Sequence, residues 1–231
     1  MSEHWFISGA NRGIGLEFTR QLVARGDRVT AGVRSEEARD ALAARLAPQH
    51  ARIETKVFDT RDNDAILAAA KSIDAPIDVL VANAGAFGPS PQSALDMDFA
   101  AALDLFDINT LGPLRLALAF LPLLRRAKNP RLALMSSALG SMATVDPSTA
   151  IYSATKAALD KFAQCLAVEL KPPLGVTVVA LHPGWVRTDM GGPNAPLSAP
   201  ESVAGIIATI DGLGLENSGS FLDYRGETVA W

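Results

Sequence analysis

The segment SGANRGIG, Ser8 to Gly15, follows directly on the apolar run HWFI near the start of the chain. A glycine-rich turn between a buried strand and a helix can bind phosphate, because the first helical turn offers free N–H groups and a positive dipole end. Gly9 allows a sharp turn, Gly13 lets the backbone approach a phosphate, and Gly15 permits close packing of the helix. The spacing, G-x-x-x-G-x-G, could also belong to a structural turn, but its place at a strand-to-helix junction favours a dinucleotide site.

The rest of the chain alternates between short apolar runs and longer stretches with helical spacing. The apolar runs are nearly continuous, as in a parallel sheet covered by helices on both faces. They predict strands at His4–Ser8, Arg28–Arg34, Arg52–Asp59, Asp78–Ala82, Arg131–Ser136, Val176–His182 and Gly219–Tyr224. The intervening stretches predict helices at Gly13–Arg25, Glu36–Leu46, Asn63–Ser72, Phe99–Arg126 (interrupted near Gly112-Pro113), Ser153–Leu170 and Pro200–Leu213. This order predicts an α/β Rossmann fold with a doubly wound, mostly parallel seven-stranded sheet.

Composition places further limits on the protein. No linker or repeat divides the 231 residues, so we expect one dinucleotide-binding domain over residues 1–231. The 21 Lys and Arg and 25 Asp and Glu give a net charge of −4 without long blocks of one sign, which argues against nucleic-acid or anionic-membrane binding. The single cysteine, Cys165, is expected to be a packing residue, and we predict no metal site.

The chain also lacks the patterns of secreted and membrane proteins. The N-terminal sequence MSEHWFISGA has no basic region of the kind that precedes a signal sequence. No run of 18 apolar residues is present, and the most apolar segment, Leu116 to Leu124, reads as a buried helix. We therefore expect a cytoplasmic protein.

Two arginines favour NADP(H) over NAD(H) as the cofactor. Arg34 ends the second predicted strand, where an arginine would receive a 2′-phosphate and an acid would bind the ribose. Arg12 lies in the glycine loop, so the two guanidinium groups could converge on one phosphate. Glu36 and Glu37 come slightly later and read as first-turn helix residues. The alternative is that one of the arginines is only solvated, and NAD(H) then becomes acceptable.

The segment YSATK suggests proton-transfer chemistry. Tyr152 and Lys156 are four residues apart on a predicted helix and therefore share a face. A neighbouring ammonium is expected to lower the pKa of the phenol, so that Tyr152 could exchange a proton with a carbonyl or alcohol oxygen while hydride moves. Such a pair is also common on helix surfaces.

Ser136 and Ser137 end the fifth predicted strand, at the sheet edge where α/β proteins bind ligands, although serine is also frequent in turns. A serine hydrolase is a poor alternative because the chain lacks a G-x-S-x-G elbow. His182, before Pro183, reads as a local packing residue rather than a base.

The ordered motifs resemble the short-chain dehydrogenase/reductase family along nearly the whole chain. They are SGANRGIG, Asp59, ANAG at Ala82–Gly85, IN at Ile108–Asn109, SS at Ser136–Ser137, YSATK, and HPGWVRT at His182–Thr188. Within the family, SSALGSM, HPGWVRTDMGG and FLDYRGETVAW are similar to the branch of the C-factor protein and the sniffer-like carbonyl reductases.

The resemblance implies a catalytic tetrad of Asn109, Ser137, Tyr152 and Lys156. Tyr152 would be the acid/base, Ser137 would polarise the carbonyl, Lys156 would bind the nicotinamide ribose and lower the Tyr152 pKa, and Asn109 would hold a water. Ser137 is preferred to Ser136 because it precedes a glycine, Gly140, by three. Asp59 would bond the adenine amino group, and Asn83 would brace the sheet. The implied cofactor site comprises Gly9, Asn11, Arg12, Gly13, Ile14, Gly15, Arg34, Asp59, Asn83, Ala84, Gly85, Tyr152, Lys156, Pro183, Gly184, Val186 and Thr188.

The chain departs mildly from the family pattern. Ser8 stands where threonine is more common, and ANAG replaces NNAG. Ser137 and Tyr152 are 15 positions apart, about two more than is usual, so SMATVDPSTA carries an insertion beside the expected substrate pocket. All four tetrad residue types are retained, which favours a competent enzyme.

We therefore expect an NADP(H)-dependent carbonyl reductase or alcohol dehydrogenase acting on a small molecule. Its substrate would enter near Ala138–Thr144, Phe87–Ser93 and Trp185–Leu197, where Phe87, Met142 and Trp185 suggest a partly apolar pocket. The alternative is a dinucleotide-binding signalling protein whose catalysis is incidental. The apolar faces of the helices at Phe99–Arg126 and Ser153–Leu170 suggest a homo-oligomer, a dimer or tetramer.

Overall fold

The fold is organised around one seven-stranded sheet. The computed structural model describes residues 2–46, 53–90, 92–171 and 174–231. The strands are β1 His4–Ser8, β2 Arg28–Val33, β3 Ile53–Val57, β4 Val79–Ala82, β5 Arg131–Met135, β6 Thr177–His182 and β7 Ser220–Asp223. Their order is β3-β2-β1-β4-β5-β6-β7, and every neighbouring pair is parallel. The predicted Rossmann fold is confirmed, and Arg52, predicted to begin β3, lies outside the described residues.

The helices connect successive strands. They are α1 Gly13–Arg25, α2 Glu36–Arg45, α3 Asn63–Lys71, α4 Phe99–Phe106, α5 Gly112–Leu124, α6 Ala150–Leu170 and α7 Ala199–Asp211. Strands β1 to β3 extend the sheet in one direction and β4 to β7 extend it in the other, so the strand order reverses between β1 and β4. These two strands are neighbours in space although two strands separate them in sequence. A crevice for ligands forms outside the carboxyl ends of the strands at such a point.

Side chains cap most of the helices that surround this crevice. Ser35, Asp62, Asp98 and Ser198 each accept a hydrogen bond from a first-turn N–H of α2, α3, α4 and α7 respectively. At α1 the cap position is Arg12, whose side chain makes no such bond. The first turn of α1 therefore keeps free donors for a ligand.

The predicted interruption at Gly112-Pro113 is instead a change of helical register. Residues Asp107–Leu111 form a π-helical turn that joins α4 to α5, so the helix is continuous from Phe99 to Leu124. Pro113 lacks an N–H, and it is tolerated because it lies in the first turn of α5, where the register changes. Asn109 lies in the middle of the π turn.

Apolar side chains cover both faces of the sheet. On one face Phe6 and Leu80 pack against α3, α5 and α6, and on the other Trp5 and Ile7 pack against α1, α2 and α7. Among the described residues, the continuous helix Phe99–Leu124 alone has the length and composition to cross a membrane. Half of its most apolar window is buried, as expected for a core helix. Within it, Leu116, Phe120 and Leu124 are buried as predicted. The expectation that Cys165 is a packing residue is wrong, because its position on α6 is exposed.

Candidate active site

The glycine loop has the geometry that the sequence predicts. Gly9 and Gly13 have φ values of 67° and 51°, in the left-handed region that favours glycine. A Cβ atom on Gly15 would lie 2.2 Å from the main-chain oxygen of Gly9, so no other residue fits there. A Cβ on Gly13 would lie 3.4 Å from the Thr188 side chain, which places the loop after β6 opposite the glycine loop. The two loops border a cradle lined by the free N–H groups of α1.

Polar contacts brace this cradle at the switch point. The Ser8 hydroxyl accepts hydrogen bonds from the main-chain N–H groups of Asn83 and Ala84, at 2.9 and 3.0 Å. The Asn83 side chain donates from Nδ2 to the main-chain oxygen of Ser8, at 2.9 Å. The Ser8 hydroxyl and the Asn83 side chain thus hold the ends of β1 and β4 together.

Lys156 and Asn109 are buried beside this junction. Lys156 donates from Nζ to the main-chain oxygen of Met135, at 2.8 Å. The Asn109 side chain accepts from the N–H of Ala86 and donates to the oxygen of the same residue, both at 2.8 Å, and it also donates to Thr155 Oγ1 at 3.1 Å. The π turn therefore ties the segment after β4 to α6. The water-holding role of Asn109 stays a prediction.

The pKa of Tyr152 shifts in the opposite direction to the sequence expectation. Burial raises the pKa of the phenol to about 12, opposed by the Ser137 hydroxyl and aided by the charge of Asp160. Burial also lowers the pKa of Lys156 to about 8. The lysine Nζ lies 5.7 Å from the centroid of the tyrosine ring. In this structure the cost of burying a phenolate therefore outweighs the hydrogen bond that would favour it.

The two candidate serines face different partners. Ser137 is buried, its Oγ accepts from Leu139 N–H at 3.2 Å, and its hydroxyl interacts with the Tyr152 phenol. The Ser136 hydroxyl instead faces Asp160. Ser137 is therefore the serine beside the phenol, and its contact with a substrate oxygen stays a prediction.

Asp160 is a buried acid that the sequence analysis missed. It follows Tyr152 by eight residues and Lys156 by four on α6, a spacing that would have placed all three on one face. Burial raises the pKa of Asp160 to about 7, although Ser136 and Lys156 oppose the shift. A Cβ on Gly140 would lie 2.7 Å from Asp160 Oδ2, so the turn after Ser137 packs directly on this carboxyl.

Gln92 is a second residue without a sequence signal. It is fully buried, its Oε1 accepts from the N–H of Tyr152 at 2.7 Å, and its Nε2 donates to the oxygen of Phe87 at 2.7 Å. The glutamine thereby fixes the start of α6 to the segment after β4. The rings of Phe87 and Tyr152 are 5.0 Å apart, so Phe87 forms an apolar wall beside the phenol.

The predicted adenosine side is rich in arginine. Asp59 accepts from Arg61 at both carboxylate oxygens, at 3.1 and 2.8 Å, and this contact, aided by the charge of Arg34, holds the pKa of Asp59 below its ordinary value. Arg34 is exposed at the end of β2. Arg61, which carried no sequence signal, thus pairs with Asp59, and the contact of Asp59 with an adenine amino group stays a prediction.

The second predicted phosphate ligand, Arg12, points elsewhere. Its Nη1 lies 3.6 Å from Asp189 Oδ2, and both side chains are largely exposed. Arg45, which had no sequence signal, donates to the main-chain oxygen of Asn11 at 3.1 Å. The structure therefore places three arginines around the glycine loop but does not direct Arg12 and Arg34 toward one point.

The loop after β6 closes the opposite side of the cradle. Gly184 has a φ of 83°, and Val186 is buried and pairs with Leu197 as an isolated bridge. Trp185 is 58% exposed, and its indole N–H donates to the oxygen of Gly191 at 2.8 Å. The structure thus brings this loop to the same sheet edge as the glycine loop, as predicted.

A glycine cradle at the switch point, with a buried serine, tyrosine and lysine at the same edge, defines a dinucleotide-binding α/β oxidoreductase. The model of the short chain dehydrogenase family matches residues 3–196. The chain belongs to this family, whose members act on carbonyl and alcohol groups.

Similar proteins place the chain near the predicted branch. The chain is 47% identical over 158 residues to the C-signal of Myxococcus xanthus, a match covering 68% of this chain and 93% of that protein. It is 32% identical to the short-chain dehydrogenase srdF of Neurospora crassa, covering 98% and 96%.

Solved structures agree with these relatives. The carbonyl reductase Sniffer of D. melanogaster superposes with a TM-score of 0.91 at 32% identity and covers all of both chains. The NADPH-bound carbonyl reductase from chicken fatty liver superposes with a TM-score of 0.90 at 29% identity, covering 100% of this chain and 99% of that one. The predicted relationship to the C-factor and sniffer-like branch is confirmed.

Proposed function

We propose that this protein is an NADP(H)-dependent carbonyl reductase or alcohol dehydrogenase, with Tyr152 as general acid and base. The observation that carries the proposal is the position of Ser137, Tyr152 and Lys156. All three are buried at the carboxyl edge of the sheet, beside the cradle formed by the glycine loop. The arrangement suits proton transfer to an oxygen next to a bound nicotinamide.

The residues around the cradle fit a dinucleotide. The uncapped first turn of α1 offers N–H groups to a pyrophosphate, and Gly13 and Thr188 stand on its two sides. Arg34 would receive a 2′-phosphate, and Lys156 would bind the nicotinamide ribose. The NADPH-bound chicken liver enzyme supports the choice of NADP(H), with NAD(H) as the alternative. The cofactor, when bound, supplies or accepts the hydride.

Three side chains of the protein would carry out and support the proton transfer. Because the pKa of Tyr152 is raised to about 12, the phenol is protonated near neutral pH and is ready to donate to a carbonyl oxygen during reduction. The Ser137 hydroxyl would donate a second hydrogen bond to the same oxygen and favour the developing negative charge. The Lys156 ammonium would stabilise the tyrosinate that remains after the transfer.

The apolar surroundings suggest the kind of substrate. Phe87 packs against the Tyr152 ring, and Met142 and Trp185 are exposed on the loops that border this edge. These side chains favour small aldehydes and ketones with an apolar substituent. The test is to incubate the protein with NADPH and a panel of such carbonyls. Oxidation of NADPH above background supports the proposal, and tight NADPH binding without oxidation contradicts it.

A second candidate is a dinucleotide-binding signalling protein. The 47% identity to C-signal favours it, because that name denotes a signal rather than a reductase. In this case cofactor binding would shape a surface for a partner. The Tyr152→Phe variant would then retain the biological phenotype while losing turnover.

We also propose a cytoplasmic homo-oligomer. Phe99, Leu103, Leu118 and Val168 on α4, α5 and α6 are each more than 60% exposed, and an apolar surface of this kind suits contact with a second copy. Sedimentation at micromolar concentration should show a dimer or tetramer. A monomer under these conditions would contradict this part of the proposal.

A further inference from the structure

The last residue of β6, His182, is bonded to the turn that carries Ser137. The N–H of Ala138, the next residue after Ser137, donates to His182 Nδ1 over 3.1 Å. Ala138 is also the first residue of a short 3-10 turn, Ala138–Gly140. The imidazole therefore contacts the backbone one residue from the serine that faces Tyr152.

This contact extends the sheet beyond the point where its backbone bonds end. Ser136 N–H donates to the oxygen of Leu181 at 2.8 Å, as a regular bond between β5 and β6. The next acceptor in a regular parallel ladder would be the oxygen of Pro183, but here this oxygen accepts from Ser202 Oγ at 2.6 Å and the Ala138 N–H donates to His182 instead. The His182 ring supplies the missing acceptor, so the N–H groups on both sides of Ser137 are held.

We propose that His182 is a positioning residue, whose neutral imidazole holds the Ser137 turn in place beside Tyr152. The proposal rests on the reductase function proposed above. Without the bond, the turn would lose its anchor to β6, and the Ser137 hydroxyl would no longer be fixed where a substrate oxygen meets the phenol. Small displacements of a group that polarises the reacting oxygen reduce turnover more than they reduce cofactor binding.

The bond requires a particular protonation state. A histidine nitrogen accepts a hydrogen bond only when it carries no proton, so the ring must be neutral with its proton on Nε2. Protonation would place an N–H at Nδ1, opposite the N–H of Ala138, and would break the contact. Burial lowers the pKa of His182 and keeps the ring neutral near pH 7.

Charged groups surround this histidine on two sides. Asp223, its register partner on β7, favours protonation, but its carboxylate already accepts from the main-chain N–H groups of Arg225 and Glu227 and from the Arg225 side chain. On the other side of the Ser137 turn, α6 carries the three titratable groups Tyr152, Lys156 and Asp160. A pH profile alone would therefore mix several ionisations, and variants of His182 are needed to separate them.

Two substitutions of His182 distinguish the loss of the hydrogen-bond acceptor from the loss of the titratable imidazole ring. His182→Asn places an amide oxygen near the position of Nδ1 and does not titrate, whereas His182→Leu has similar bulk and no acceptor. We expect His182→Leu to lower kcat by ~10-fold or more, the cost of about one hydrogen bond, with an unchanged Kd for NADPH. His182→Asn should restore kcat to within about three-fold of the wild type. A wild-type kcat in His182→Leu would overturn the proposal.

The pH profile gives a readout that a merely structural role would not change. Wild-type kcat/KM should fall on the acid side with an ionisation that is absent from His182→Asn. If both proteins show the same ionisation on the acid side, protonation of His182 does not control turnover, and the proposal is overturned. His4→Asn is a matched control, because His4 is also buried but lies at the opposite end of the sheet, bonded to Pro76 and Thr30. Its acid limb should match that of the wild type.

A measurement independent of activity distinguishes this proposal from the reductase assignment. Nitrogen NMR of the histidine rings should show His182 in the Nε2–H form with Nδ1 hydrogen-bonded. Hydrogen exchange of the Ala138 amide should be slow, and this protection should be lost when His182 is protonated. A ring protonated at Nδ1 would overturn the proposal whether or not a substrate is found. Failure of the wild type to oxidise NADPH, with this tautomer present, would instead overturn the reductase assignment.

Discussion

The Nζ atom of Lys156 donates to the main-chain oxygen of Met135 over 2.8 Å, which fixes the lysine of α6 to the last residue of β5. Ser137 follows Met135 by two residues, so the relative position of the serine and the lysine depends on the packing of α6 against β5. Gly140, in the turn after Ser137, also packs on Lys156 and Asp160 of α6, so the residues that follow this turn do not set that position. The extra residues in SMATVDPSTA can therefore change the proposed substrate pocket without displacing Ser137 from Lys156.

Replacing the tyrosine tests proton transfer directly. Tyr152→Phe retains the ring that packs on Phe87 and removes only the hydroxyl. We expect kcat/KM for the reduction of a ketone to fall by ~2–4 orders of magnitude, because the general acid is lost. The Kd for NADPH, measured by fluorescence titration, should change by less than about three-fold. Residual turnover close to that of the wild type would mean that another group supplies the proton.

The two serines at the end of β5 provide a matched pair of variants. Ser137→Ala removes the hydroxyl that interacts with Tyr152 and should lower kcat by ~100-fold or more, by analogy with loss of one oxyanion donor. Ser136→Ala removes a hydroxyl that faces Asp160 instead, and its kcat should stay within about five-fold of the wild type. Steady-state kinetics with one carbonyl substrate compares them. The reverse order of losses would assign the catalytic role to Ser136.

Sequence patterns predicted the sheet because its strands are almost continuously apolar, and the observed strand boundaries lie within two residues of those expected. The residues of the candidate site were harder to predict from the sequence. Gln92 acts through contacts between distant segments, so no local motif marks it, and the helical spacing of Asp160 places it on the face of Tyr152 and Lys156 without showing that it is buried. The π turn around Asn109 replaced a predicted interruption because Pro113 alone cannot indicate how the preceding turn is wound. The pKa of Tyr152 was expected to fall, since burial of the phenol cannot be judged from the residues around it.

The arginine at the end of β2 tests the cofactor preference. Arg34 is exposed and lies near Asp59, on the side where a 2′-phosphate would sit. Arg34→Ala should raise the KM for NADPH by ~10- to 100-fold, the value of one or two charge-assisted bonds, and leave the KM for NADH nearly unchanged. Arg39→Ala is the control, because Arg39 pairs with Glu36 and Asp40 on the surface of α2. An equal effect on both cofactors would argue against phosphate recognition by Arg34.

The raised pKa of Asp160 makes folding stability depend on pH. The carboxyl titrates near 4 in the unfolded chain and at about 7 in the folded protein. Between these values the folded state binds a proton that the unfolded state does not, so the contribution of Asp160 to stability is full below about pH 4 and is lost as the pH rises through 7.

Asp160→Asn removes this dependence, since the amide carries no charge at any of these pH values. At pH 8 the variant should be more stable than the wild type by about 2 kcal/mol, less than the full shift implies, because it also removes the charge that favours the buried Lys156 ammonium. At pH 4 the two proteins should unfold at nearly the same denaturant concentration. Asp74→Asn, at an exposed position, should change stability by less than about 0.5 kcal/mol at both pH values. Equal stability of Asp160→Asn and the wild type at pH 8 would show that Asp160 titrates normally in the folded protein.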